Sequence, residues 1–170
     1  MLTIYRHYAN VYSTHDEAAL GESMAGDALS KEFQQRYTEW GDAIANQRHD
    51  WLDGFFTDDF LGTAQPWPTL SVNRQQMLDL DKAVEAMDTE WISVCAHRFG
   101  DEVITVGYVR YNREDFRDEA VIGEGMPTGA DIAKQTKGKV AAYVNGWRFN
   151  GERWQVFDHH LIQLVPDVGF

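Results

Sequence analysis

Between residues 30 and 48 the apolar side chains Phe33, Tyr37, Trp40 and Ile44 recur at i, i+4, i+7 and i+11. That spacing puts them on one face of an α-helix, with Ser30 placed to cap it. Trp51, Leu52, Phe55 and Phe56 suggest a second, short helix, and Asp58-Asp59 ends it or begins the next turn. Residues Phe60–Asn73 contain Gly62, Pro66 and Pro68, which fits two short strands around a proline-containing loop. Met77, Leu78, Leu80, Val84 and Met87 then fit a third helix. Beyond Trp91 the period changes to that of strands. Trp91–Phe99 and Val103–Tyr111 flank Gly100-Asp101, a pair suited to a type II′ hairpin. Val140–Phe149 and Glu152–Val165 flank Asn150-Gly151, among the strongest local hairpin signals.

Two stretches escape this reading. Tyr5, Tyr8 and Tyr12 have helical spacing, but Gly21 and Gly26 weaken it, so residues 1–30 are read as an N-terminal extension. Residues 112–138 are polar and hold Gly123, Gly125, Pro127, Gly129 and Gly138; they are read as a long loop or flap. No internal repeat or dividing linker occurs, so residues 1–170 are expected to form a single α+β domain.

Composition narrows the function classes. Hydrophobic residues make up 44% and charged residues 25%, a globular balance, and aromatics reach 13%. The formal charge of −12 and the lack of a dense basic run argue against nucleic acid and anionic membranes as partners. No segment has the length and apolarity of a membrane span or a signal peptide, so a cytoplasmic location is expected. A single cysteine, Cys95, allows no intrachain disulfide and is read as a small core residue. His97 belongs to the more polar stripe Trp91, Ser93, Cys95, His97, which pairs with Tyr108 and Arg110 and is expected to face outward. The adjacent His159 and His160 make a poor metal signal, because neighbouring strand residues point to opposite faces. No phosphate-binding glycine loop or nucleophile elbow is present; no cofactor and no metal are expected.

The last hairpin carries the candidate chemistry. A two-residue loop at Asn150-Gly151 would set Trp147 opposite Trp154, Asn145 opposite Val156, Tyr143 opposite Asp158 and Ala141 opposite His160. The stripe Trp154, Val156, Asp158, His160, Ile162, Leu164 is the more apolar one and is assigned to the pocket side. Asp158 and His160 are then polar groups in an apolar surface, expected to handle protons, with Tyr143 and Asn145 orienting a carbonyl or hydroxyl. The competing reading is a satisfied structural network. Tyr37 and Trp40 are expected to line the pocket from the first long helix, and Trp67 to sit at its mouth.

The segment Trp40–Phe60, with its helix, Asp-led turn and acidic-aromatic entry to a strand, resembles part of a known superfamily. Asn73-Arg-Gln-Gln-Met-Leu resembles the start of that superfamily's third helix. Asn150-Gly-Glu-Arg-Trp-Gln-Val-Phe-Asp-His-His160 resembles its closing strand. This ordered set, spanning about residues 33–165, is similar to the nuclear transport factor 2-like superfamily and, within it, to the SnoaL-like or polyketide-cyclase-like domains. The resemblance implies a cone-shaped α+β fold, a strongly curved antiparallel sheet wrapped around about three helices and enclosing a pocket. It also implies homodimerisation through the outer sheet face. Its members include isomerases, dehydratases, cyclases, epoxide hydrolases and non-catalytic binding domains. Ketosteroid-isomerase-like members carry a general-base Asp after strand one; Gly62-Thr-Ala-Gln-Pro-Trp67 has no carboxylate there. Two readings follow: a cofactor-free isomerase, dehydratase, cyclase or hydratase acting on a small, largely apolar ligand, or a non-catalytic ligand-binding or dimerisation module.

Overall fold

The computed structural model describes residues 19–117 and 127–167. The chain runs α1 (Ala19–Ala45), α2 (His49–Asp53), β1 (Phe56–Ala64), β2 (Trp67–Asn73), α3 (Arg74–Ala83), β3 (Val84–Phe99), β4 (Glu102–Phe116), α4 (Gly129–Thr136), β5 (Lys139–Phe149) and β6 (Trp154–Pro166). Six strands form one open sheet in the order β2-β1-β6-β5-β4-β3. All neighbours are antiparallel except β1 and β6, which are parallel. This is the expected α+β architecture, with a fourth helix where a continuous loop was expected.

The apolar face of α1 builds the core. Phe33, Tyr37 and Ile44 are almost fully buried, and the Phe33 ring meets the edges of Trp147 and Trp154 at 5.1 and 5.3 Å. The helix also covers the exposed edge of β3: the Ala96 N–H donates to Ser30 Oγ at 3.1 Å, and Gln34 Nε2 donates to the Trp91 carbonyl at 3.2 Å. Ser30 therefore serves the sheet edge rather than capping the helix, which begins at Ala19. The tyrosines at 5, 8 and 12 and the glycines at 123 and 125 lie outside the described residues.

Long-range pairing displaces two further expectations. Val84 and Met87 start β3 instead of continuing α3, because Val84 pairs with Phe116 and Met87 with Glu114. Residues 112–116, expected in a loop, supply those partners, and residues 129–136 form α4, started by a Thr128–Asp131 capping box. Cys95 is exposed rather than core: it pairs with Val106 on the outer face, beside the outward-facing His97.

The β5–β6 register decides the site. The connecting loop has four residues, Asn150–Arg153, because Asn150 Oδ1 accepts from the N–H groups of both Glu152 and Arg153 at 3.0 Å. Phe149 thus pairs with Trp154, and Trp147 with Val156. Phe157 is then an extra residue: Gly146 pairs with Asp158, Asn145 with His159 and Tyr143 with Leu161. Such a bulge moves every following side chain to the opposite face. A second extra residue, Ile162, restores the original alternation, so that Ala141 pairs with Leu164. Glycine at 146 accommodates the bulge, since a Cβ there would lie 2.5 Å from the Phe157 ring. Gly146→Val is expected to cost about 1–3 kcal/mol by overpacking, and Phe157→Ala to offset part of that loss. Denaturant unfolding of the two single variants and the double variant measures this coupling; additive effects would contradict the contact.

Candidate functional site

Helices α1, α3 and α4 and the concave sheet face surround a cavity of about 150 Å³. Its walls are mainly apolar and aromatic, with Tyr37, Trp40, Trp67, Trp91, Tyr111 and Tyr143 among them. Four residues singled out from the sequence therefore line one cavity: Tyr37, Trp40, Trp67 and Tyr143. Asn145 is fully buried behind the wall and reaches the cavity through its partners. Asp158 and His160 are not in the cavity. The Phe157 bulge turns them to the convex face, where they are about 30% exposed and form a pair at 2.8 Å. The second ring nitrogen of His160, Nδ1, lies 2.6 Å from Thr63 Oγ1. The same bulge brings His159 into the cavity, reversing its expected direction.

Three buried ionisable groups line the cavity: Asp81 and Glu114, which sequence reasoning missed, and His159, which it pointed the other way. Asp81, Glu114 and His159 are all at most 8% exposed. Asp81 comes from α3, and its Oδ2 accepts from Trp40 Nε1 at 2.9 Å. Burial pushes its pKa up to about 7; the nearby Glu114 charge adds to the rise, and the Trp40 hydrogen bond opposes it. Glu114 comes from β4, and its Oε2 accepts from Thr136 Oγ1 of α4 at 2.6 Å. Burial also raises its pKa to about 7, against the Thr136 hydrogen bond. Each carboxyl keeps its second oxygen outside these bonds.

A hydrogen-bonded chain backs the cavity. Trp147 Nε1 donates to Thr105 Oγ1 at 2.9 Å, and Thr105 Oγ1 lies 2.5 Å from the Tyr37 hydroxyl. Asn145 Nδ2 donates to the same hydroxyl, and Asn145 Oδ1 lies 2.6 Å from His159 Nδ1. Since that oxygen only accepts, His159 carries its hydrogen on Nδ1 and presents Nε2 as a bare acceptor. Burial, and then the charge of His160, lower the His159 pKa to about 3, so the ring is neutral at ordinary pH. It stacks on Tyr143 at 4.7 Å and meets Trp40 edge-on at 5.4 Å. The hydroxyls of Tyr143 and Tyr111 lie 2.7 Å apart, and burial raises both phenol pKa values. Whichever hydroxyl accepts in that pair keeps its own hydrogen for a third group.

The site can therefore donate a proton from one carboxyl, accept one at the other, and offer a phenol O–H to a carbonyl or hydroxyl. Among the described residues no three His, Cys, Asp or Glu side chains converge as a metal-binding group. No described helix is long and apolar enough to cross a membrane. Asp81 left a trace in the sequence: with Met77 and Leu78 it occupies the i, i+1, i+4 face of α3, a carboxylate in an apolar stripe.

No family model and no curated protein matches this sequence. Solved structures do. An NTF2-like protein from Cytophaga hutchinsonii superposes with a TM-score of 0.53 at 12% identity, covering 70% of this chain and 84% of that one. A nuclear transport factor 2 (NTF2-like) superfamily protein from Salmonella enterica gives 0.56 at 9% identity, covering 82% and 92%. A type 2 hexachlorocyclohexane dehydrochlorinase (LinA) gives 0.54 at 13%, covering 87% and 93%. Likeness at these identities establishes the fold and leaves the chemistry to the residues.

Proposed function

We propose, on the premise that this chain has the nuclear transport factor 2-like fold, that it is an enzyme moving a proton on a small, largely apolar molecule. Isomerisation, dehydration, cyclisation and hydration are the reactions of this kind. The observation that carries the reading is the pair Asp81 and Glu114, two buried carboxyls in one aromatic cavity, each raised to a pKa of about 7. An acid or base is most effective when its pKa lies near the working pH. In the proposed cycle the protonated carboxyl gives a proton and the ionised one takes one. The Tyr111–Tyr143 hydroxyls polarise a substrate oxygen, and neutral His159 accepts a hydrogen bond at Nε2. Too weak a base to compete with the carboxylates, His159 positions the substrate.

The cavity volume limits the substrate to about one ring, since an apolar cavity of about 150 Å³ is known to hold benzene. The named LinA relative acts on a six-membered ring compound, in line with that size. The SnoaL-like subgroup, a homodimer through the convex face and a cytoplasmic site of action belong to the same proposal. Exposed Leu61, Tyr108 and Ile162 support the dimer.

The test follows hydrogen exchange. Ring-sized ligands that raise the melting temperature are incubated with protein in D₂O, and deuterium incorporation or turnover is read by NMR. Asp81→Asn and Glu114→Gln are each expected to slow the reaction at least about 100-fold, within the range of general acid–base contributions. Asp158→Asn and His160→Ala, on the convex face, are expected to change it less than about threefold. The reverse pattern would return the chemistry to the outer face. Ligand binding with no exchange or turnover would favour a non-catalytic binding module.

A further inference from the structure

We propose that the ligand of this cavity carries a protonated nitrogen, as a primary or secondary amine on a single ring. The inference rests on the same cavity as the proton-transfer reading and narrows its substrate class.

Charge balance is the first argument. Asp81 and Glu114 both line the cavity and are buried, and whichever of them is ionised places a negative charge in a mainly apolar space. Among the described residues no lysine or arginine lines the cavity to compensate it. A neutral ligand would leave that charge unmatched, and an anion would double it. One ammonium group balances it, and a buried charge is tolerated only when paired.

Shape and polarity agree. Tyr37, Trp40, Trp91, Tyr111 and Tyr143 make the cavity lining aromatic, and aromatic rings attract cations. The polar atoms left over are chiefly acceptors: the second oxygens of Asp81 and Glu114, and His159 Nε2. An ammonium is donor only and matches acceptors of this kind. The formal charge of −12 further favours the approach of cations over anions. With the nitrogen anchored on the ionised carboxyl, its protonated partner remains available to give a proton.

The experiment is calorimetric titration at pH 7 with three probes of one size: benzylamine, benzyl alcohol and benzoate. Benzylamine is expected to bind at least about tenfold more tightly than benzyl alcohol, with benzoate undetectable. Asp81→Asn and Glu114→Gln, with folding checked by circular dichroism, are each expected to remove most of that preference. Equal affinity for alcohol and amine, a preference that survives both substitutions, or no binding by any probe would overturn the inference. The two readings fail separately. Proton exchange on neutral ring compounds without amine preference sinks this inference alone; amine binding without exchange or turnover sinks proton transfer alone.

Discussion

Asp81→Asn is expected to unfold at a higher temperature than the wild-type protein at pH 8, with the gap closing as pH falls to 4. The unfolded Asp81 titrates at its ordinary value of 3.8, whereas burial holds the folded group near 7. Its contribution to stability is therefore complete below about pH 4 and is lost as pH rises through 7. Above that, the folded protein carries a charge in an apolar wall. Asparagine removes the charge and keeps an acceptor for Trp40 Nε1, whose bond to Asp81 measures 2.9 Å. A shift of this size corresponds to about 2–4 kcal/mol, or roughly 5–10 °C in a domain of this length. Melting curves of both proteins from pH 4 to 8 measure it, and a pH-independent difference would contradict it. Glu114 has the same sign and window. His159 has the opposite sign: its pKa is lowered from 6.5 to about 3, so its contribution is present above about pH 6.5 and lost as pH falls toward 3.

Asn145→Leu is expected to cost about 1–3 kcal/mol, by orphaning the buried His159 Nδ1–H and taking one of two partners from the buried Tyr37 hydroxyl. The Tyr37 hydroxyl loses its donor and His159 Nδ1–H loses its acceptor. Leucine is close in volume, so packing loss is small and the penalty comes mostly from unpaired polar groups. The substitution also releases the His159 tautomer, so ring-sized ligands should bind more weakly even where the protein remains folded. Denaturant unfolding and ligand titration read the two effects separately. A loss below about 0.5 kcal/mol would mean that the network is not continuous.

The order of elements was legible because it depends on local periodicity. Phe33, Tyr37, Trp40 and Ile44 announce α1, and Asn73 with Gln76 announces the start of α3. What failed depends on long-range pairing. Val84 and Met87 read as helix because their strand partners, Phe116 and Glu114, sat in a segment that reads as loop. Tyr37, Trp40, Trp67 and Tyr143 were legible as cavity residues, since an aromatic on the apolar side of an element has few other places to go. The Asp158/His160 face was not, because one unpaired residue, Phe157, reverses the alternation midway along β6. The only sequence trace of that bulge is Gly146 opposite it. Tyr143 of the hairpin lines the cavity as expected, whereas His159 enters it in place of His160.

Asp81 and Glu114 both line the cavity, and their titration is open to direct measurement. The most direct measurement is a ¹³C NMR titration of the Asp and Glu side-chain carboxyl carbons, with Asp81→Asn and Glu114→Gln assigning the signals. Two carboxyls are expected to be still largely protonated at pH 5.5 and to titrate with apparent midpoints near 7 that belong to the pair. Asp81 and Glu114 both fully ionised at pH 5.5 would contradict it.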